Sequence, residues 1–599
     1  MVHDASRSRA ATHLLISYTH YIKTLLPVPF LSLSFYMFSS YDNHAKACAR
    51  KQQDIANQVA RYAPLYDRTL TEEESKILTL SLADTAEACS SGRLTPASVL
   101  SAHAKRSFAA HAATNCLADV MFDEALPTYV PNRPFSGVPI SIKDVVDVEG
   151  HDSTMGFSSR ANNPALCSAP IIRLLKDAGA LVHVKTTVPT GLFSFECNSD
   201  LFGVTTNPYN SKFSPGGSTG GGAALLAYGG SKIEIASDIG GSVRFPAAYC
   251  GVYGMKSTSG RFPESGIQSS IPGLQTLPAG SPLAKTLDDL EEFWARLISL
   301  EPWKYDSSCV PIPWRPVDFV LQGRKPKWGV MWNDGVIAPT PACRRALAVA
   351  VDALREQGHE VVDFNGPSAV EGLKIGFPLG FADGGSTAFS FLQPGESINF
   401  ALSLVRNIAR LPFFVKSMIA NFLRLTSSPP GRNDVFVDLF ECTHPQSVAA
   451  ERALYTRRDE YRQRWVNAMD EQGVDFVLTL QHALPPMPKD GTGTATLLSA
   501  NYCFLYNILD VTAGVLPTAY VDADQDALPS NFQQSETYYH LNDAERAVWS
   551  LYDASAMHGL PLAVQVVGKR YEEEKVLAGM KLIDSALRKA GRPFVQKEF

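Results

Sequence analysis

An α/β fold, with helices packed on both faces of a sheet, is what this 599-residue chain predicts. Three observations carry the prediction. A composition of 45% hydrophobic and 19% charged residues is that of a folded globular protein with a sizeable core. Residues 50–115 carry repeated helix-start signals. From Gly137 onward, short β-rich runs alternate with helical ones.

Taken in order, the first segment to stand out is TLLPVPFLSLSFYMFSSY, residues 24–41, which is uncharged and preceded by Arg7, Arg9 and Lys23. Its length approaches the roughly 18–20 residues of a membrane span, while Pro27, Pro29 and several serines weaken that reading. An anchor, an interfacial segment and a buried segment all stay open, within an N-terminal extension placed at residues 1–45. In the helical leading region, residues 46–115, Thr71 with Glu74 and Ser81 with Asp84 have capping spacing. Thr95-Pro96 sets a cap before a proline suited to a first turn. The main domain, residues 116–599, begins its alternation with VPISIK (138–143), a strand. IIRLLKDAGALVHVK (171–185) reads helix, glycine stop, strand, and IEIAS (233–237) is a further strand. KWGVMW, a helix from Thr340-Pro341, HEVVDF, VDFVLTL and PLAVQVV continue the pattern. No internal repeat interrupts it, and SSPPG (427–431) is the clearest loop.

A formal charge of −6 offers no basic footprint, which excludes nucleic acid as an expected partner. Ten cysteines are scattered singly, without a C-x-x-C pair, so neither a disulfide framework nor a zinc site is expected, and a reducing, intracellular setting fits.

Chemistry concentrates in three stretches: Lys143 at the end of an apolar strand, SPGGSTGGG (214–222), and SDIGGSVRFPAAYCG (237–251). Dense glycine lets other groups approach main-chain N–H donors closely, and such donors are what a developing oxyanion needs. In DIGGS the amides of Ile239, Gly240, Gly241 and Ser242 are the candidates, with the Ser242 hydroxyl as nucleophile. Either glycine run alone would read as a tight turn. A phosphate cradle is excluded, because no lysine stands in the P-loop position. Gly216–Gly220 also satisfies G-x-S-x-G, the nucleophile elbow, but that elbow needs a strand before it and NPYNSKFSP is turn-rich.

No histidine lies in these stretches, so the base must be another group. A Ser-Lys dyad is a known solution. Lysine, with a reference pKa near 10.4, works as a base only when held neutral; a shift of about 3 units costs about 4 kcal/mol, which burial can impose. Ser218 is the hydroxyl that can relay the proton from Ser242 to Lys143.

GVPISIKD, SPGGSTGGGAALLAYGG and SDIGGSVRFPAAYCGVYGMKST resemble the amidase signature family. The resemblance implies a large mixed sheet flanked by helices and a Ser-Ser-Lys triad that hydrolyses amides. Ser242 matches its nucleophile, Ser218 its bridging serine and Lys143 its base, with a cis Gly217–Ser218 peptide and no metal or organic cofactor. Thr219 stands where a second serine is common. GHDSTMGFSS, VPTGLFSFECNSDLFGVTTNP, FADGGSTAF, LYNILDVTAGVLPT and GLPLAVQVV are similar to the fatty acid amide hydrolase branch and related fungal-type general amidases, over roughly residues 65–595. In that branch Leu192 and Phe193 match positions lining the acyl site, beside Ser218. Asp238 and Arg244 read as braces of the loop.

Residues 399–425, NFALSLVRNIARLPFFVKSMIANFLRL, hold four basic and no acidic residues, with Pro412 separating two short helices. That suits either a pair lying in lipid headgroups or a buried hairpin with snorkelling cations. The resemblance implies the former, a membrane-facing cap, and with it a long-chain acyl amide as substrate and a membrane-associated protein; a homodimer stays open. A short-chain acetamidase-type enzyme in soluble cytoplasm, the amidase subunit of a tRNA-dependent amidotransferase, and a silent lipid-binding protein are the alternatives.

Overall fold

A computed structural model describes residues 32–274, 279–319, 323–427 and 431–599, with the backbone alone for 32–41 and 279. Residues 24–31 of the apolar segment therefore lie outside what is described, and its residues 32–41 are described by backbone alone. Among the described residues no helix is long and apolar enough to cross a membrane. The first described helix, Ser32–Tyr66, passes residue 45 without a break.

The strands are β1 (Leu117–Val120), β2 (Pro139–Lys143), β3 (Leu181–Thr186), β4 (Asn198–Ser199), β5 (Gly203–Val204), β6 (Ile233–Asp238), β7 (Tyr253–Lys256), β8 (Ala279–Ala284), β9 (Trp328–Val330), β10 (Val361–Asp363), β11 (Phe476–Thr479), β12 (Ala513–Tyr520) and β13 (Pro561–Val567). β4 and β5 form a small ribbon. The other eleven make one mixed sheet in the order β1-β3-β2-β6-β8-β7-β12-β13-β11-β9-β10. β2 runs parallel to β3 and β6, β9 runs parallel to β10 and β11, and the middle of the sheet is antiparallel.

β2 and β6 are buried at every position, because helices cover both faces and a parallel strand between them must shed water from either side. Both read as strands by their β-branched isoleucines in short runs, with Ser141, Lys143, Glu234, Ser237 and Asp238 buried among them. β8 was not visible: AGSPLA has no apolar alternation, and it becomes a strand because six of its residues pair with β6. β1, β7 and β12 also went unread as runs of their own.

The helix-start signals act as predicted. Thr71 and Glu74 form both halves of a capping box, Ser81 accepts from the Asp84 amide, and Thr95 caps Pro96–Thr114 with proline in its first turn. The helix Pro170–Asp177 stops before Gly179 (φ +87°), and β3 follows.

Candidate active site

The site forms at the C-terminal ends of β2 and β6, the edge of a parallel sheet where ligands characteristically bind. Lys143 is the last residue of β2 and its side chain is fully buried. Nζ donates to Ser218 Oγ at 2.8 Å and to the Ser237 carbonyl at 3.2 Å. Burial pushes its pKa down to about 7, against the opposing pull of Asp238 and Glu234, so near neutral pH much of it is uncharged.

Ser218 lies in the loop before the helix Gly220–Ala227, after a cis Gly217–Ser218 peptide. Only glycine fits at 217, since a Cβ there would fall 2.1 Å from the Ser194 carbonyl oxygen. No strand precedes this loop; residues 207–219 make only an isolated bridge, between Phe213 and Pro488. The elbow reading of G-x-S-x-G therefore fails on this chain.

Ser242 follows β6 in a half-buried turn, and its carbonyl accepts from the Thr219 amide at 3.1 Å, which stitches the two serine loops together. The Thr219 hydroxyl is buried with no partner among the described residues.

The loop is braced from inside. Asp238 and Arg244 form a fully buried bidentate pair, Nε to Oδ2 at 3.0 Å and Nη2 to Oδ1 at 2.9 Å. Burial works against the Asp238 carboxylate, but the guanidinium and backbone amides overcome it and hold its pKa well below the usual range. Arg244 also donates to the Cys503 carbonyl and to Gln565 Oε1, and Asn507 Nδ2 reaches the Asp238 carbonyl at 3.0 Å. Gln565 and Asn507 stand within GLPLAVQVV and LYNILDVTAGVLPT, but nothing in those stretches marks either amide as a brace, because single amides in distant segments carry no diagnostic spacing.

One of the four expected oxyanion donors stands apart. The Gly241 amide donates to Asp238 Oδ1 at 2.7 Å, and Gly241 does not line the adjacent cavity, whereas Ile239, Gly240 and Ser242 do. Gly241 shapes the loop instead: its φ is +120°, and a Cβ would fall 2.1 Å from the Phe245 ring.

The cavity encloses about 810 Å³, part of it open to solvent, and its wall is overwhelmingly apolar. Ser218 and Ser242 face it together with Leu192, Phe193, Phe377, Phe381 and Phe504. Leu192, the first of the predicted lining pair, takes a left-handed backbone (φ 68°) at the wall. Phe377, Phe381 and Phe504 were missed as individual residues; the first two stand four positions apart, Phe504 lies more than a hundred positions further on, and only the fold brings the two segments together. Among the described residues no histidine lines the cavity with Ser242. His183 sits between the Ile140 and Gly230 carbonyls, and neither it nor His482 lines the cavity. Among the described residues no group of three or more His, Cys, Asp or Glu side chains is arranged to hold a metal.

The profile of the Amidase family matches residues 98–577. The chain belongs to the amidase family. An amidase hydrolyses amide C–N bonds, and that is the activity of this enzyme. Its relatives include fatty-acid amide hydrolase 1 of Sus scrofa, 32% identical over 563 residues, covering 92% of this chain and 93% of that protein. An acetamidase of Emericella nidulans is 29% identical, covering 85% and 89%. Among solved structures, a fatty acid amide hydrolase superimposes with a TM-score of 0.74 at 26% identity, covering 94% of this amidase and 91% of that chain.

Proposed function

We propose that this amidase hydrolyses long-chain acyl amides through a Ser242–Ser218–Lys143 relay and an acyl-enzyme. The observation that carries the relay is the fully buried Lys143, its pKa brought down to about 7 by burial and its Nζ bonded to Ser218 at 2.8 Å. In this mechanism the Ser242 oxygen attacks the amide carbonyl while its proton passes to Ser218 and the Ser218 proton passes to neutral Lys143. The oxyanion is met by the amides of Ile239, Gly240 and Ser242, with Gly241 supporting the loop. Run in reverse, the relay protonates the leaving nitrogen, the C–N bond breaks and amine or ammonia departs. Water, deprotonated along the same path, then releases the carboxylic acid and restores Ser242.

A long acyl chain is supported by the apolar cavity wall and by the cap. Helices Phe400–Arg410 and Phe413–Thr426 flank Pro412, and the second leaves Phe413, Phe414, Met418, Phe422 and Leu425 exposed. Such a row on a soluble surface marks a contact with lipid or another apolar partner. The cationic part of the expectation is reduced. Lys416 is buried and donates to the Thr443 carbonyl, Arg424 pairs with Asp438 and Glu441, and Arg406 lies over the Phe389 ring, leaving Arg410 exposed. Membrane contact therefore rests on the apolar row. The similarity to an acetamidase favours a second reading, short-chain amides.

The test is covalent labelling with a fluorophosphonate together with kcat/KM across acyl amides from two carbons to sixteen. Labelling of wild type, its loss in Ser242→Ala, and kcat/KM rising with chain length are expected. Undiminished labelling of Ser242→Ala would remove the assigned nucleophile, and a profile peaking at acetamide would select the short-chain reading.

A further inference from the structure

We propose that Gly380 sets the size of acyl group this amidase admits, by leaving open a gap in the cavity wall that any other residue would fill. The inference rests on the cavity being the acyl pocket of the proposed function.

Two glycines one turn apart on the helix Ala369–Gly380, Gly376 and Gly380, line the cavity. They are glycine for different reasons. At Gly376 a Cβ would fall 2.4 Å from Ile508 Cδ1 and 2.9 Å from Phe504 Cε1, so packing against the helix Asn501–Ile508 requires the missing side chain. At Gly380, apart from its two chain neighbours and the backbone of its own helix, nothing stands within 4 Å of where a Cβ would be. Gly380 is nevertheless buried, so the free space belongs to the cavity rather than to bulk solvent. Its φ lies outside the left-handed region, so the backbone would carry any side chain. Neither a left-handed backbone nor packing calls for glycine at 380. What the absent side chain leaves behind is room.

That room lies among aromatic rings. Phe193 and Phe381 pair with centroids 5.8 Å apart, and Phe377 and Phe504 pair at 5.6 Å. Gly380 follows Phe377 by three positions and precedes Phe381, and all five residues line the same cavity. The gap is therefore apolar on its other sides and suits the methylene or aromatic portion of an acyl group, not a charged or strongly hydrogen-bonding one. Displacing one methylene-sized volume in such a pocket changes discrimination by roughly 10–200-fold.

The test compares wild type, Gly380→Ala and Gly380→Leu by two ratios. The first is kcat/KM for a hexadecanoyl amide over that for a butanoyl amide. The second is the labelling rate of a dodecyl fluorophosphonate over that of an ethyl one. Each ratio is internal to one protein sample, so partial misfolding of a variant cancels. Gly380→Leu is expected to lower both ratios by about 10-fold or more, with Gly380→Ala between it and wild type. Ratios for Gly380→Leu within twofold of wild type overturn the proposal. If wild type cleaves only short amides, the fatty-amide reading fails while the labelling ratio still decides the role of Gly380.

Discussion

Glu234 offers a direct way to test whether the charge on Lys143 controls the chemistry. It lies on β6, opposite Ser141 of β2 in the parallel register, and is fully buried. Oε1 accepts from Thr186 Oγ1 at 2.6 Å, and Oε2 has no partner among the described residues. Burial pushes its pKa up to about 7, and its carboxylate favours the charged form of Lys143. With Lys143 at about 7, the neutral fraction is about a tenth at pH 6 and about nine tenths at pH 8. The rate of fluorophosphonate labelling, which reports attack by Ser242 without amide chemistry, should therefore rise about tenfold between those pH values and then level off. Both groups titrate in the same range, so the wild-type limb belongs to the pair. Glu234→Gln keeps the acceptor for Thr186 and removes the negative charge. The sign follows: without the carboxylate the ammonium is less favoured, Lys143 loses its proton at lower pH, and the limb moves acidward. Stopped-time labelling from pH 5 to 9, each protein normalised to its own plateau, measures the displacement. A wild-type profile flat between pH 6 and 8, or a variant limb displaced toward alkaline pH, would refute the assignment of Lys143 as base.

Arg244→Met should cost about 3–5 kcal/mol, because it strands the fully buried Asp238 carboxylate; a urea midpoint close to wild type would show that the pair is not the brace described. Phe414→Asp with Phe422→Asp removes two exposed rings from the cap, each worth about 1.5–3 kcal/mol when buried in an apolar phase. Sedimentation with phosphatidylcholine vesicles should fall at least 100-fold, and unchanged pelleting would leave the cap without a membrane role.

The alternation of runs along the chain was enough to announce an α/β sheet, and β2 and β6 were legible as short isoleucine-rich runs, although each buries polar residues as well. Lys143, Ser218 and Ser242 were legible for a chemical reason: a lysine closing a buried strand and two serines set among glycines are unusual placements for those residue types. What the residues could not disclose depended on distance in space. β8 is a strand only because β6 and β7 offer it partners. Gly241 reads like its neighbours in DIGGS, yet its amide turns inward because Asp238 is pinned by Arg244 from behind. Gly376 and Gly380 look alike along the helix, and only the presence of Ile508 and Phe504 beside one and the emptiness beside the other separates a packing glycine from an opening in the wall. Backbone pattern is local and therefore written in order along the chain, whereas the environment of a side chain is made by whatever folding brings against it.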